Sequence, residues 1–203
     1  ALALKILMTL SKKENVISLN VKNRFAEIVA AGNLLESGTG YFGLAYSTQN
    51  KHPLSGTSNL FTSRTIISSL LMDNLKNLND RRLFYYAEPA AAKISAGKSQ
   101  SDTAAYVGVD VSIDYAELNA GYSASQYSAL NKRYLTEAAC EPRMLLTYGE
   151  QQLILAEARL RVWITTVTSE SYYQQGVKAS LAAIMATKSS YETGRAIDHN
   201  YIE

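Results

Sequence analysis

Apolar residues recur at three- and four-residue steps in five stretches of the chain, and between them the pattern dissolves. Ala3, Ile6, Leu7 and Leu10 mark a first helix from about Leu2 to Ser11. Val21, Phe25, Ile28 and Val29 mark a second, from about Leu19 to Ala31, and Gly32-Asn33 supplies a left-handed stop. Residues 34–62, rich in Gly, Ser, Thr and Asn, read as a loop. Ile67, Leu70, Leu71, Leu75 and Leu78 give a third helix its apolar stripe over 63–78, and Asn79-Asp80 ends it. Residues 79–145 then read as a long irregular insertion, rich in Gly, Ser, Ala and Tyr, with short β-like runs at Tyr106–Val109 and Val111–Ile113. Segments this long and irregular are uncommon in compact domains and usually have a function.

Residues 146–188 carry the clearest pattern. Thr147-Tyr148-Gly149-Glu150 is a capping box, in which the threonine oxygen and the glutamate carboxylate satisfy free N–H groups at a helix start. Leu146, Gly149, Leu153, Ala156, Leu160 and Trp163 follow on one face. After a short turn, Tyr173, Val177, Leu181 and Ile184 form an apolar stripe on a second helix. Tyr172, Gly176, Ala179 and Ala183 form a small-residue stripe beside it. Small residues let two helix backbones approach closely. The expectation is an antiparallel hairpin with its closest approach near Gly176 and Ala179, similar to a tetratricopeptide unit in geometry though without that repeat's closing proline. One such hairpin cannot bury both its faces, so it needs neighbours; residues 1–33 offer a second helix pair, and 189–203 read as a tail. The fold class is therefore mainly α: stacked tetratricopeptide-like hairpins with a long insertion containing short β segments.

Composition narrows the function. With 47% hydrophobic and 19% charged residues among 203, the chain is ordinary globular protein. A net charge of +2 without a basic stripe excludes a nucleic-acid partner. No stretch approaches the roughly 18 apolar residues that cross a bilayer. The single cysteine, Cys140, has no Cys or His near it in redox or metal spacing. The two histidines, His52 and His199, have no partner at ligand spacing, so neither metal nor cofactor is expected.

Several motifs look chemical and read better as structure. Gly38-Thr39-Gly40-Tyr41-Phe42-Gly43 fits the dinucleotide pattern, yet no strand precedes it and Ser58 stands where the acidic residue belongs. Asp110, Asp114 and Glu117 lack the glycine turn of a calcium loop. Glu150 and Glu157 share a helix face, but Glu150 caps its helix and Glu157 pairs with Arg161 four residues on. No convergent nucleophile, base or metal set remains, which points away from an enzyme.

Tyrosine is the residue in excess: fourteen, against four Phe and one Trp. Tyr41, Tyr46, Tyr106, Tyr115 and Tyr122 fall outside the helical stretches and are the candidate ligand-binding residues. A tyrosine offers a flat apolar face and a polar hydroxyl, which suits the C–H faces and hydroxyl edges of sugar rings. The same rings also suit the plainer task of anchoring loops.

Five segments, in order, resemble the SusD/RagB family. Leu145 to Ala158 (LLTYGEQQLILAEA) is similar to the "TYAE…L..AEA" helix of that family, and Trp163 stands where a Gly-Trp pair is usual. Ser171 to Ser180 (SYYQQGVKAS) resembles "YY..GI.AS", and Leu75 to Leu83 (LKNLNDRRL) resembles "L..LNDPRL". Ala105 to Val109 resembles "YVGV", and Ile6 to Ser11 resembles "LAMRLS". Two departures fall in turns: Arg81 replaces the proline, and Arg161-Val162 precedes Trp163 without a glycine. The resemblance implies part of a longer protein, lacking N- and C-terminal portions. It implies a surface lipoprotein of the outer membrane of Bacteroidota, attached by a lipid anchor outside this chain. Such proteins act, without catalysis, as the lid of a SusC-like TonB-dependent transporter and hold a glycan or, in some members, a peptide. The alternative is a tetratricopeptide-like scaffold for a protein partner.

Overall fold

The structure is a computed structural model that describes residues 1–36, 38–56 and 65–203. In chain order its elements are α1 (Leu2–Thr9), α2 (Val21–Ala31), β1 (Tyr41–Leu44), α3 (Ser69–Asn77), α4 (Leu83–Tyr86), α5 (Ala91–Ser95), α6 (Tyr115–Ser123), α7 (Arg133–Thr136), β2 (Arg143–Thr147), α8 (Tyr148–Leu160), α9 (Ser169–Met185) and α10 (His199–Ile202), with single 3-10 turns at Ser11–Lys13, Thr103–Ala105 and Ser189–Tyr191. The chain is mainly α. Among the described residues no helix is long and apolar enough to cross a membrane. The chain divides into two compact units: Ala1–Leu44 with Arg143–Ala183 and Ile202–Glu203, and Ala45–Pro142 with Ile184–Tyr201.

The first unit is built on α1, α2, α8 and α9. Leu4, Leu7, Met8, Val21, Phe25, Leu155, Ala156, Ala158, Trp163, Ile164 and Tyr172 form its core. The ring edge of Phe25 meets Trp163 at 5.4 Å, and the Trp163 indole N–H donates to Glu14 Oε2. The buried face of α1 is Leu4, Leu7 and Met8, so Ile6 of the expected stripe points outward. On α9 the small-residue stripe forms the inner face at the crossing, as expected, and the apolar stripe beside it lies further out. Tyr172, Gly176 and Ala179 are buried, while Tyr173 and Val177 are exposed. Small residues win the inner face because the α8 backbone is already there: a methyl on Gly176 would stand 3.0 Å from Gly149 O and from Leu153. Leu153 meets Gly176 and Gly149 meets Ser180, the opposed order of an antiparallel hairpin.

Helix ends follow from particular residues. Thr147 Oγ1 accepts from the Glu150 N–H at 3.0 Å, one half of the capping box. The Glu150 carboxylate turns instead to Lys5 Nζ at 2.8 Å. Gly32 ends α2 in the left-handed region. At the end of α8, Val162 N–H bonds Arg159 O and Trp163 N–H bonds Ala158 O. That places Val162 at the left-handed position, with φ +57°. This is the slot glycine usually fills, and here a β-branched residue holds it.

β1 and β2 form an antiparallel ribbon in the loop region, with Tyr41 opposite Thr147 and Leu44 opposite Arg143, and an irregularity between Phe42 and Gly43. Gly43 lies so close to the Arg143 carbonyl that a side chain there would collide with it. The second glycine of the dinucleotide-like pattern is equally structural: Gly40 O accepts from the Tyr148 N–H.

The second unit carries the insertion. Its β content is single bridges: Ser68 to Val109, Ile66 to Ala129 and Ala87 to Leu130. The runs at Tyr106–Val109 and Val111–Ile113 are not strands. Here α3 buries Met72 and Leu75, leaving Leu70, Leu71 and Leu78 of the expected stripe exposed; the expected helix start at Ser63 lies outside the described residues. Gly108 permits this packing, since its missing side chain would strike the Ser69 backbone. Residues 191–201, read as a tail, are bound firmly to this unit. The Thr193 hydroxyl lies 2.8 Å from Phe84 O and from Tyr106 Oη. Asn131 Nδ2 donates to Tyr191 O, and Ile197 N–H donates to Tyr85 Oη. Arg81 gives a reason for the missing proline: its N–H donates to Tyr201 Oη, a bond proline cannot make, and its guanidinium lies over that ring.

Candidate ligand-binding site

The five candidate tyrosines have different surroundings. Tyr41 opens β1 in the first unit and is partly exposed. Tyr46 is half-buried, with His52 edge-on at 5.1 Å, an anchoring contact. Tyr106 corrects the sequence reading. It is 0% exposed, packs edge-to-face on Phe84 at 5.2 Å, and its hydroxyl reaches Gln100 O and Thr193. Burial pushes its phenol up to about 12. With no face open, Tyr106 is a core residue and not a ligand platform.

Tyr115 and Tyr122 lie on one helix, which the sequence had read as irregular. Asp114 caps α6 by accepting from Ala116 N–H at 2.7 Å. Seven residues bring a helix back to nearly the same face, so the two rings rise from one side of α6, roughly 10 Å apart along its axis. Tyr115 is 72% exposed, and Tyr122 is half-buried.

The C-terminus of α6 then brings in Tyr127, which is not among the five candidates. Ser125 N–H bonds Tyr122 O, Gln126 N–H bonds Gly121 O, and Ser125 takes φ +55°. This is a Schellman turn with serine at the left-handed position. It folds the chain back so that the Tyr127 ring lies on Gly121, where a methyl would come within 2.6 Å of the ring. Tyr122 and Tyr127 thereby share a cleft of about 360 Å³ with Ile66, Pro89, Ser123 and Ser125. Two phenol faces, a proline and small hydroxyl residues suit a ring with apolar faces and polar edges. No sequence signal pairs Tyr122 with Tyr127 except the glycine between helix and ring.

The chemical-looking carboxylates are occupied. Asp110 accepts from the Ser112 N–H and hydroxyl, which hold its carboxyl below the usual range. Glu157 pairs with Arg161 at 2.8 Å. Among the described residues no group of His, Cys, Asp and Glu is placed to hold a metal ion.

A second polar cleft went unread in the sequence. Its centre is Arg133, a charged residue on four-residue α7 that is only 3% exposed. It bonds Tyr134 Oη, Glu141 Oε2 and Thr187 Oγ1, the last of these 54 residues away.

Comparison with known proteins shows what the chain is similar to. A family model described as starch-binding, associating with the outer membrane, matches residues 1–201. The structure of a SusD homologue from Bacteroides fragilis is 36% identical, with a TM-score of 0.89 over 100% of this chain and 44% of that one. A Bacteroides vulgatus protein described in terms of nutrient binding at the outer membrane is 33% identical, with a TM-score of 0.81 over 98% of this chain and 43% of that one. A chitin-binding protein shares the fold at 21% identity and a TM-score of 0.66, over 97% of this chain and 41% of that one. No curated protein matches. The chain spans less than half the length of these solved relatives. With the family model covering nearly every residue, and two relatives above 30% identity superposing along the whole chain, this chain belongs to the SusD-like family of starch-binding, outer-membrane-associated proteins.

Proposed function

We propose that the chain is the carbohydrate-capturing part of a non-catalytic protein on the extracellular face of the outer membrane. It is held there by a lipid anchor outside this chain and serves as the lid of a SusC-like TonB-dependent transporter. The observation that carries the reading is the Tyr122–Tyr127 cleft, with Tyr115 further along the same helix face. Rings spaced roughly 10 Å apart on one helix face suit two non-adjacent units of one oligosaccharide. A glycan fits better than a peptide because the cleft is lined by aromatic faces and small hydroxyl residues and holds no charged side chain for a peptide terminus. Tyr41 remains a candidate contact of the first unit, and Tyr46 is held against His52 in the second.

The test is affinity electrophoresis of the chain through gels containing starch, chitin oligosaccharides or no glycan, with the bound oligosaccharide recovered and sized. At least one glycan should retard the chain, Tyr122→Ala should remove most of the retardation, and the oligosaccharide should be recovered uncut. Migration unaffected by every glycan, or a shortened oligosaccharide, contradicts the reading.

A further inference from the structure

Gly121 has no backbone reason to be glycine. It lies buried in the last turn of α6, in the ordinary helical conformation that any residue can hold. Inside a helix glycine is less stable than alanine, because it loses more freedom on folding.

What the position does require is room. An added Cβ would stand 2.6 Å from Tyr127 Cε2, 2.7 Å from its hydroxyl oxygen and 2.8 Å from its Cζ. Apart from its own helix backbone, the three atoms nearest to that Cβ all belong to the Tyr127 side chain. Ordinary contacts between carbons lie at about 3.5–4.0 Å, so a methyl would drive the ring back by roughly 1 Å.

The ring must take up this displacement, because the backbone on either side of it is pinned. Ala92 N–H donates to Ser125 O, and Ser128 N–H donates to Val107 O. Val107 N–H donates in turn to the Ser128 hydroxyl, and Ser128 is fully buried. The helix opposite is held at its start by the Asp114 cap and at its end by the Ser125 turn. The Tyr127 side chain, by contrast, turns about two bonds. That ring forms one wall of the cleft that Tyr122 also lines. A binding group has to be held within about 0.5 Å of its working position, and the displacement exceeds that.

We infer that Gly121 is a positioning residue for carbohydrate binding: its missing side chain seats the Tyr127 ring where that ring can stack on a sugar, and a methyl there moves the wall of the cleft. The inference rests on the reading of the Tyr122–Tyr127 cleft as a carbohydrate site.

The experiment compares the whole chain as parent, Gly121→Ala, Tyr127→Ala and the double variant. Each is run through gels of graded starch or chitin-oligosaccharide content, and each is melted by circular dichroism. Gly121→Ala should bind about tenfold more weakly than the parent, as for the loss of one stacking ring, while melting no lower. A merely structural glycine would lose affinity and stability together. In the Tyr127→Ala background, Gly121→Ala should change affinity by less than about twofold. There it should also raise the melting temperature by more than it does in the parent, since no ring opposes the methyl. The inference is overturned if Gly121→Ala binds like the parent, lowers the melting temperature, or weakens binding equally with and without the Tyr127 ring. Equal effects on melting in both backgrounds overturn it too, and they decide the matter if Tyr127→Ala is no longer retarded. A retarded parent with an unchanged Gly121→Ala removes only this inference. A parent that no glycan retards removes the proposed function as well.

Discussion

Gly149 and Gly176 meet backbone to backbone where α8 and α9 approach, and a methyl on either would stand 3.0 Å from the other's carbonyl oxygen. Neither helix can yield without moving the core it carries, Leu155 and Ala156 on one side and Tyr172 on the other. Gly176→Leu should therefore destabilise the chain by about 1–3 kcal/mol through overpacking. In a chain of this size that lowers the melting temperature by roughly 2–4 °C per kcal/mol, measurable by circular dichroism. An unchanged melting temperature would mean that the helices are not packed at these glycines.

Val162 should be the opposite case. It holds a left-handed conformation that costs a residue with a Cβ about 1–2 kcal/mol, and at 60% exposure its side chain has little packing to lose. Val162→Gly should stabilise the chain by about 1 kcal/mol or somewhat less, once the added freedom of the unfolded chain is counted. Denaturant titration should show a higher midpoint with an unchanged slope.

Tyr106 and Thr193 test the reassignment of a supposed ligand platform to the core. Thr193→Val leaves the Tyr106 hydroxyl on Gln100 O and Phe84 O on the residue-193 N–H but takes the donor from Ala87 O, and should cost about 1 kcal/mol. Tyr106→Ala should cost about 3–5 kcal/mol by leaving a cavity beside Phe84. If Tyr106→Ala melts like the parent, the ring is not where the core requires it.

His52 should give the fold a pH dependence. Burial lowers its pKa below the usual histidine value, reinforced by Arg133 and opposed by Glu141, and its Nδ1 accepts from the Leu54 N–H. The folded state thus binds the proton less readily than the unfolded chain. Stability is full above about pH 6.5 and falls as pH drops below it towards the folded value. The melting temperature should decline between pH 7.5 and 5.5, and His52→Gln should flatten that decline. Equal pH dependence in parent and variant would remove His52 as its source.

The features legible in the sequence are those set by neighbours a few residues apart. The Thr147 cap, the Gly32 stop, the Asn79 turn and the Glu157–Arg161 pair each depend on one helical turn. Trp163 is buried, but Leu153 and Leu160 of the same expected stripe are exposed, because α8 ends at Leu160 and the Val162 turn brings Trp163 onto Phe25. Failures arise where distance decides. On α9 the expected approach at Gly176 is met by Gly149, while the apolar stripe beside it leaves Tyr173 and Val177 exposed. On α3, Leu70 and Leu78 look as buried as Leu75 until Gly108 brings the backbone against Ser69 and Met72. Tyr106 is loop-like locally and core-like only because Thr193, 87 residues on, reaches its hydroxyl. Tyr122 stands among the candidates read from the sequence, but its cleft needs the Ser125 turn that lays Tyr127 on Gly121.

The proposed role of the Tyr122–Tyr127 cleft in binding carbohydrate is tested most directly by calorimetry of the chain with the oligosaccharide that retards it in gels. The parent is compared with Tyr122→Ala, Tyr127→Ala, the double variant and Tyr106→Phe, each checked for folding by circular dichroism. Stacking on an aromatic ring is worth about 1–3 kcal/mol per base in nucleic-acid complexes, and a sugar at the low end of that range gives about tenfold per ring lost. Each single alanine variant should bind about tenfold more weakly, the double variant should show no measurable heat, and Tyr106→Phe should match the parent. A folded double variant that binds as tightly as the parent would contradict the account.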